Sequence, residues 1–153
     1  MTKEIRKIIT SKSIKETASL AQYVVDFIVQ QRSSHASVVG LIGDLGSGKT
    51  VFVQAFLREI GVRKNITSPT FVIMKRFSIP KNQYLYTDAY HIDAYRITSD
   101  DMKHLGFEQV CNNKHVIMCI EWADRIKTIL PIDTVWIHCE YGKNENERKF
   151  TIN

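Results

Sequence analysis

The period of the apolar positions changes several times along the chain, and each change marks an element. From residue 4 to 10 charged and apolar side chains alternate, the period-two pattern of a strand with one covered face. SIKE at 13–16 carries a serine followed three residues later by a glutamate, which predicts a helix N-terminus, and Ala18, Ala21, Val25 and Ile28 then fall near one helical face. After the polar QRSSH, the run SVVGLIG (37–43) is almost continuously apolar, as a central parallel strand covered on both faces must be. Beyond Lys49, the residues Phe52, Val53, Phe56, Leu57 and Ile60 recur at helical spacing, with Gly61 as the stop. FVIMKRF (71–77) and YLYTDAYHID (84–93) read as a hairpin turning through IPKNQ, a helix starts at SDD (99–101), and HVIMCIEW (115–122) is a second buried strand that ends on an acid. Strands alternating with helices predict an α/β fold, and a length of 153 residues suits one domain over 1–153.

Composition narrows the class only a little. With 44% hydrophobic and 24% charged residues, the chain has no low-complexity tract and no internal repeat. MTKEIRKIIT lacks the apolar run of a signal peptide or membrane span, so a cytoplasmic protein without membrane partners is expected. Cys111, Cys119 and Cys139 are odd in number and without a CxxC spacing, which predicts reduced thiols, two of them in apolar strands. The formal charge of +5 favours acidic partners such as nucleic acid.

The chemistry enters with GDLGSGKT at 43–50, which matches GxxxxGK[ST] and stands between the predicted strand and helix. Gly43, Gly46 and Gly48 allow consecutive N–H groups to turn toward phosphate oxygens at a helix N-terminus. Lys49 is placed to reach the β- and γ-phosphates, and the Thr50 hydroxyl is a ligand for Mg2+. Asp44, Leu45 and Ser47 complete the candidate nucleotide-binding loop. A phosphate loop needs a carboxylate on a neighbouring strand, and Glu121, at the end of its apolar run, is placed to serve the metal, the water, or both. Asp93 in YHIDAYRI is a second acid at a strand end; His91 and Asp93 at period two have no third ligand at a spacing suited to zinc. TSPTF (67–71) offers Ser68 and Thr70 as sensors of the γ-phosphate, although hydroxyls also crowd ordinary turns.

Rival chemistries fit less well. A GTPase would carry NKxD, and the nearest string, NKHV (113–116), has Val116 at the aspartate position. A small-molecule kinase would need an arginine-bearing lid, for which no arginine cluster is visible, and a nucleotide-dependent switch or scaffold with little catalysis would use the same loop.

GDLGSGKT, SPTF, HIDAYRI, LGFEQ and IEW, in this order, resemble the TsaE family, the small bacterial ATPases of tRNA threonylcarbamoyladenosine synthesis. The resemblance extends to Glu16–Thr17 and to a closing hairpin with Arg148, and it departs at Ala123, where a proline is common, and at Phe77, where a tyrosine is common. It implies a P-loop NTPase fold whose central parallel sheet is extended by antiparallel strands and hairpins. It implies ATP and Mg2+ as ligands, with Lys49 on phosphate, Thr50 and Glu121 on the metal, Asp93 at the same centre, Ser68 and Thr70 in a switch-like loop and Trp122 beside the nucleotide. It further implies slow hydrolysis of ATP, stimulated by partners, in support of TsaB and TsaD. Those proteins transfer a threonylcarbamoyl group onto adenosine 37 of tRNA, so the tRNA is met through the complex.

Overall fold

The computed structural model describes residues 6–31, 33–67, 69, 72–80 and 83–153. Ser68 and Thr70 lie outside the described residues. In chain order the elements are β1 (Lys7–Ser11), α1 (Ile14–Gln30), β2 (Ser37–Ile42), α2 (Lys49–Ile60), β3 (Met74–Ser78), β4 (Asp88–Asp93), α3 (Ser99–His104), α4 (Phe107–Cys111), β5 (Val116–Glu121), a 3-10 helix (Ala123–Ile129), β6 (Val135–Tyr141) and β7 (Arg148–Ile152). The strands form one seven-stranded sheet in the order β1-β7-β6-β2-β5-β4-β3. β6, β2, β5 and β4 run parallel at its centre, while β3 pairs antiparallel with β4, and β7 antiparallel with both β6 and β1. This is the P-loop fold expected from the sequence.

Strand alternation assigns the two faces. On one face Val39 and Leu41 of β2 and Ile117 and Cys119 of β5 pack with the buried stripes of α1 and α2, including Leu20, Val24, Phe52 and Phe56. On the other, Val38, Val116, Met118 and Ile120 meet Met102, Phe107 and Ile126 from α3, α4 and the 3-10 helix. Phe52 and Phe56 are fully buried, each contributing about 2 kcal/mol by removing apolar area from water. Parity then fixes the chemistry: Ala89 packs on the α1/α2 side, so His91 and Asp93, two and four residues on, face that side, as does Glu121.

The helix starts are local. Ser13 caps α1 by accepting from the Glu16 N–H, 3.1 Å, but the Glu16 carboxylate takes the Lys12 N–H, 2.6 Å, one residue earlier than a reciprocal capping box requires. The complete box belongs to α3, where Thr98 and Asp101 exchange both bonds, so the cap lies one residue before the predicted SDD start. The β3–β4 pairing is antiparallel as expected, yet β4 begins only at Asp88 and its tyrosine-rich lead-in is connection rather than strand. Tyr86 there hydrogen bonds through its hydroxyl to Ser37, 2.6 Å, an anchor a strand reading does not contain. Cys119 and Cys139 are buried, Cys111 is partly so, and all three are free thiols. Among the described residues no helix is long and apolar enough to cross a membrane.

Candidate nucleotide site

The site forms where β2 ends and α2 begins. Gly48 is the N-cap of α2 at φ 105°, a left-handed conformation that costs glycine little, and it turns the chain so that Lys49 opens the helix. Gly43 is required by space: a Cβ there would stand 2.3 Å from the Cys139 carbonyl oxygen on β6. The loop between them separates two hollows. Leu45, Gly46, Gly48, Lys49 and Thr50 line a cleft of about 740 Å3, whereas Gly43, Asp44 and Ser47 face a shallower one of about 600 Å3 against β6.

Lys49 is only 5% exposed, and its Nζ donates to the carbonyls of Gly43, 2.5 Å, and Asp44, 2.8 Å, spanning the loop. Burial lowers its pKa from the ordinary lysine value, against the opposing pull of nearby acids, Glu121, Asp44 and Asp93 among them. The ammonium also sits 4.3 Å from the centroid of the Trp122 ring. Trp122 takes φ 57°, one of two left-handed non-glycine residues among those described, and this turn directly after β5 swings its indole back over the loop. Tyr95 packs on that indole at 4.8 Å, and the Arg125 guanidinium lies 5.5 Å from the Tyr95 ring centroid, which gives Arg125 a structural stacking role. Arg96 lines the cleft.

The two acids lie side by side at one end of the sheet. Register pairs Asp93 with Glu121 at the C-terminal ends of parallel strands β4 and β5. Glu121 is 3% exposed; one carboxylate oxygen accepts from the Thr50 hydroxyl, 2.6 Å, and the other lies 2.9 Å from His91 Nε2. Asp93 is half-buried and accepts from the Tyr95 N–H, 2.9 Å. Burial pushes the Cys139 thiol up to about 12, so behind the loop it remains a neutral thiol.

Three features escaped sequence reasoning. His91, weighed only as a metal ligand, instead bonds Glu121. The β6–β7 hairpin grips the loop tip: the Tyr141 hydroxyl donates to the Leu45 carbonyl, and Arg148 Nε donates to that of Gly46, 3.2 Å, while its Nη1 holds the carbonyls of Glu145 and Glu147. Ser11 and Thr17 share a hydrogen bond of 2.7 Å on the cleft's far wall. The His91 and hairpin contacts join residues remote in sequence and leave no local pattern, whereas Ser11 and Thr17 are near neighbours; Thr17 and Arg148, both within the family resemblance, were the available signals.

The donor set suits a metal-bound polyphosphate. A buried ammonium, a helix N-terminus, a hydroxyl and a carboxylate converge, and the Ser47 hydroxyl is buried in the loop without a hydrogen-bond partner among the described residues.

Comparisons with known proteins point to one family. A family described as "Threonylcarbamoyl adenosine biosynthesis protein TsaE" matches residues 11–150. The tRNA threonylcarbamoyladenosine biosynthesis protein TsaE of Rickettsia prowazekii is 36% identical over 145 residues, covering 94% of this chain and 92% of that protein. The protein of the same name from Bacillus subtilis is 31% identical over 141 residues, covering 90% and 80%. The crystal structure of Bacillus subtilis YdiB superposes with a TM-score of 0.67 at 25% identity, over 98% of this chain and 87% of that one. With a family match over nearly its whole length and relatives this similar, the chain belongs to the TsaE family of threonylcarbamoyladenosine biosynthesis proteins.

Proposed function

We propose that this chain is an ATPase that binds and slowly hydrolyses Mg-ATP, and that hydrolysis supports transfer of a threonylcarbamoyl group onto adenosine 37 of tRNA by TsaB and TsaD. The observation that carries this reading is the buried Lys49–Thr50–Glu121 arrangement at the start of α2, facing a cleft large enough for a nucleotide. Thr50 and Glu121 are the residues to hold magnesium, which would neutralise phosphate charge that one lysine cannot. Because Thr50 donates its hydrogen to Glu121, its oxygen lone pairs stay free for a cation.

In this reading Lys49 exchanges its two carbonyl partners for phosphate oxygens and, with the loop N–H groups, stabilises the charge that develops as water attacks the γ-phosphorus. Glu121 or Asp93 orients that water. Each Glu121 oxygen already makes one hydrogen bond, to Thr50 and to His91, which fixes the carboxylate and leaves a further lone-pair site on each oxygen for a cation or a water. In this reading turnover by the isolated chain is slow and rises when a partner completes the site. The test is ATP turnover by the purified chain alone and with TsaB and TsaD: partner-dependent hydrolysis is expected, and tight binding with no response to either protein would leave a nucleotide switch instead.

The hairpin clamp yields a separate expectation. Arg148→Ala removes the grip on Gly46 and should weaken nucleotide binding about three- to tenfold, the equivalent of one hydrogen bond of order 1 kcal/mol, with the fold intact. Arg148→Lys should not restore it, because an ammonium lacks the planar fork that reaches three carbonyls at once. A fluorescence titration of nucleotide affinity checks both; full affinity in Arg148→Ala would show that the loop holds its shape unaided.

A further inference from the structure

His91 is completely buried at the middle of β4, opposite Lys75 of β3 and Cys119 of β5 in the sheet register, and it is the polar partner of the most buried carboxylate in the site. Its Nε2 lies 2.9 Å from one Glu121 oxygen, and its Nδ1 is buried with no hydrogen-bond partner among the described residues. A carboxylate only accepts, so Nε2 carries the hydrogen and donates it, while Nδ1 stays unsatisfied in the interior. That arrangement is costly, and an apolar side chain of similar volume would avoid the cost if filling space were the whole task. We propose that His91 is a positioning residue for the nucleotide reaction: its Nε2–H pins one oxygen of Glu121 and so turns the other toward Thr50 and the metal position.

Geometry favours this assignment over a packing role. Register places His91 opposite Cys119 and Asp93 opposite Glu121, so His91 reaches its acid diagonally across the parallel pair, from two residues below on the same face. Without that bond, Glu121 would be held at its tip by Thr50 alone, and Thr50 is the residue that must also face the metal. His91 thus fixes the carboxylate independently of the ligand, as hydrogen-bond partners of metal-site carboxylates do elsewhere.

The inference rests on the Mg-ATPase reading, and the experiment separates the two. Binding of a non-hydrolysable ATP analogue, with and without magnesium, is measured by calorimetry for the parent chain, His91→Leu and His91→Gln, together with kcat and KM for ATP. A glutamine amide nitrogen can take the place of Nε2, whereas leucine keeps the volume and loses the donor. His91→Leu is expected to lose about tenfold or more of the magnesium-dependent gain in affinity and of kcat, while magnesium-free binding stays within about threefold; His91→Gln should recover most of both. Should His91→Leu fail to fold, His91→Asn takes its place, because its shorter amide falls short of Glu121. An unchanged magnesium effect in the donor-less variant, or a glutamine variant no better than it, overturns the inference while leaving the function standing. A parent chain whose nucleotide binding ignores magnesium overturns both.

Discussion

Lys49→Ala is expected to reduce ATP turnover by about a hundredfold or more, a loss of roughly 2.7 kcal/mol of transition-state stabilisation. The charge it removes is nearly buried and faces the cleft, and although Lys12, Arg96 and Arg148 also line that cleft, none of them springs from the start of α2. Stability should respond differently. The folded ammonium has a lowered pKa, so the unfolded chain holds that proton more tightly, and the charged lysine disfavours folding at neutral pH; the penalty is relieved as pH rises through the folded pKa. Lys49→Ala should therefore fold at least as stably as the parent near pH 7, the Gly43 and Asp44 carbonyls being left beside an open cleft. The same shift predicts an alkaline limb of kcat/KM, which reports the free protein, below the ordinary lysine value of 10.5. Turnover, thermal melting and a pH profile check the three parts. A Lys49→Ala chain that hydrolyses ATP at the parent rate would remove the loop from the reaction.

Much of this is legible in the sequence alone, and the reason is physical. A phosphate loop is a local device: strand, glycine turn and helix must be contiguous, so GDLGSGKT and its flanks identify β2 and α2 together. Glu121 was legible because a strand buried on both faces stays apolar until it emerges, and the first charge after such a run marks its C-terminal end. What could not be read were partnerships across the sheet. Period two says that His91 and Asp93 share a face, but only the parallel register of β4 on β5 says that this face also carries Glu121. The left-handed turn at Trp122 and the grip of Tyr141 and Arg148 on the loop tip belong to the same class, since each depends on elements that are remote in sequence. The short α4 and the 3-10 helix were missed for a simpler reason: neither is long enough to display a helical period.

Glu121 separates two effects that a single substitution usually confounds. Its carboxylate is buried and accepts two hydrogen bonds, so Glu121→Ala leaves the Thr50 hydroxyl and His91 Nε2 without their acceptor, and should cost about 1–3 kcal/mol of stability per donor left unsatisfied, as well as activity. Glu121→Gln keeps the shape and one acceptor oxygen while deleting the buried charge, whose removal from water is itself unfavourable. The glutamine variant should melt close to the parent, bind nucleotide without magnesium as well or better because an anion has left the phosphate site, and hydrolyse ATP about a hundredfold or more slowly. Calorimetric melting together with single-turnover hydrolysis on both variants distinguishes these outcomes. If Glu121→Gln hydrolysed ATP at the parent rate, the negative charge would be dispensable and Asp93, its register partner at the end of β4, would become the acid that orients the water. If Glu121→Gln instead melted as low as Glu121→Ala, the carboxylate would be chiefly a bridge between α2 and β4, holding Thr50 to His91, and its place beside the phosphate loop would reflect the architecture of the sheet rather than the chemistry.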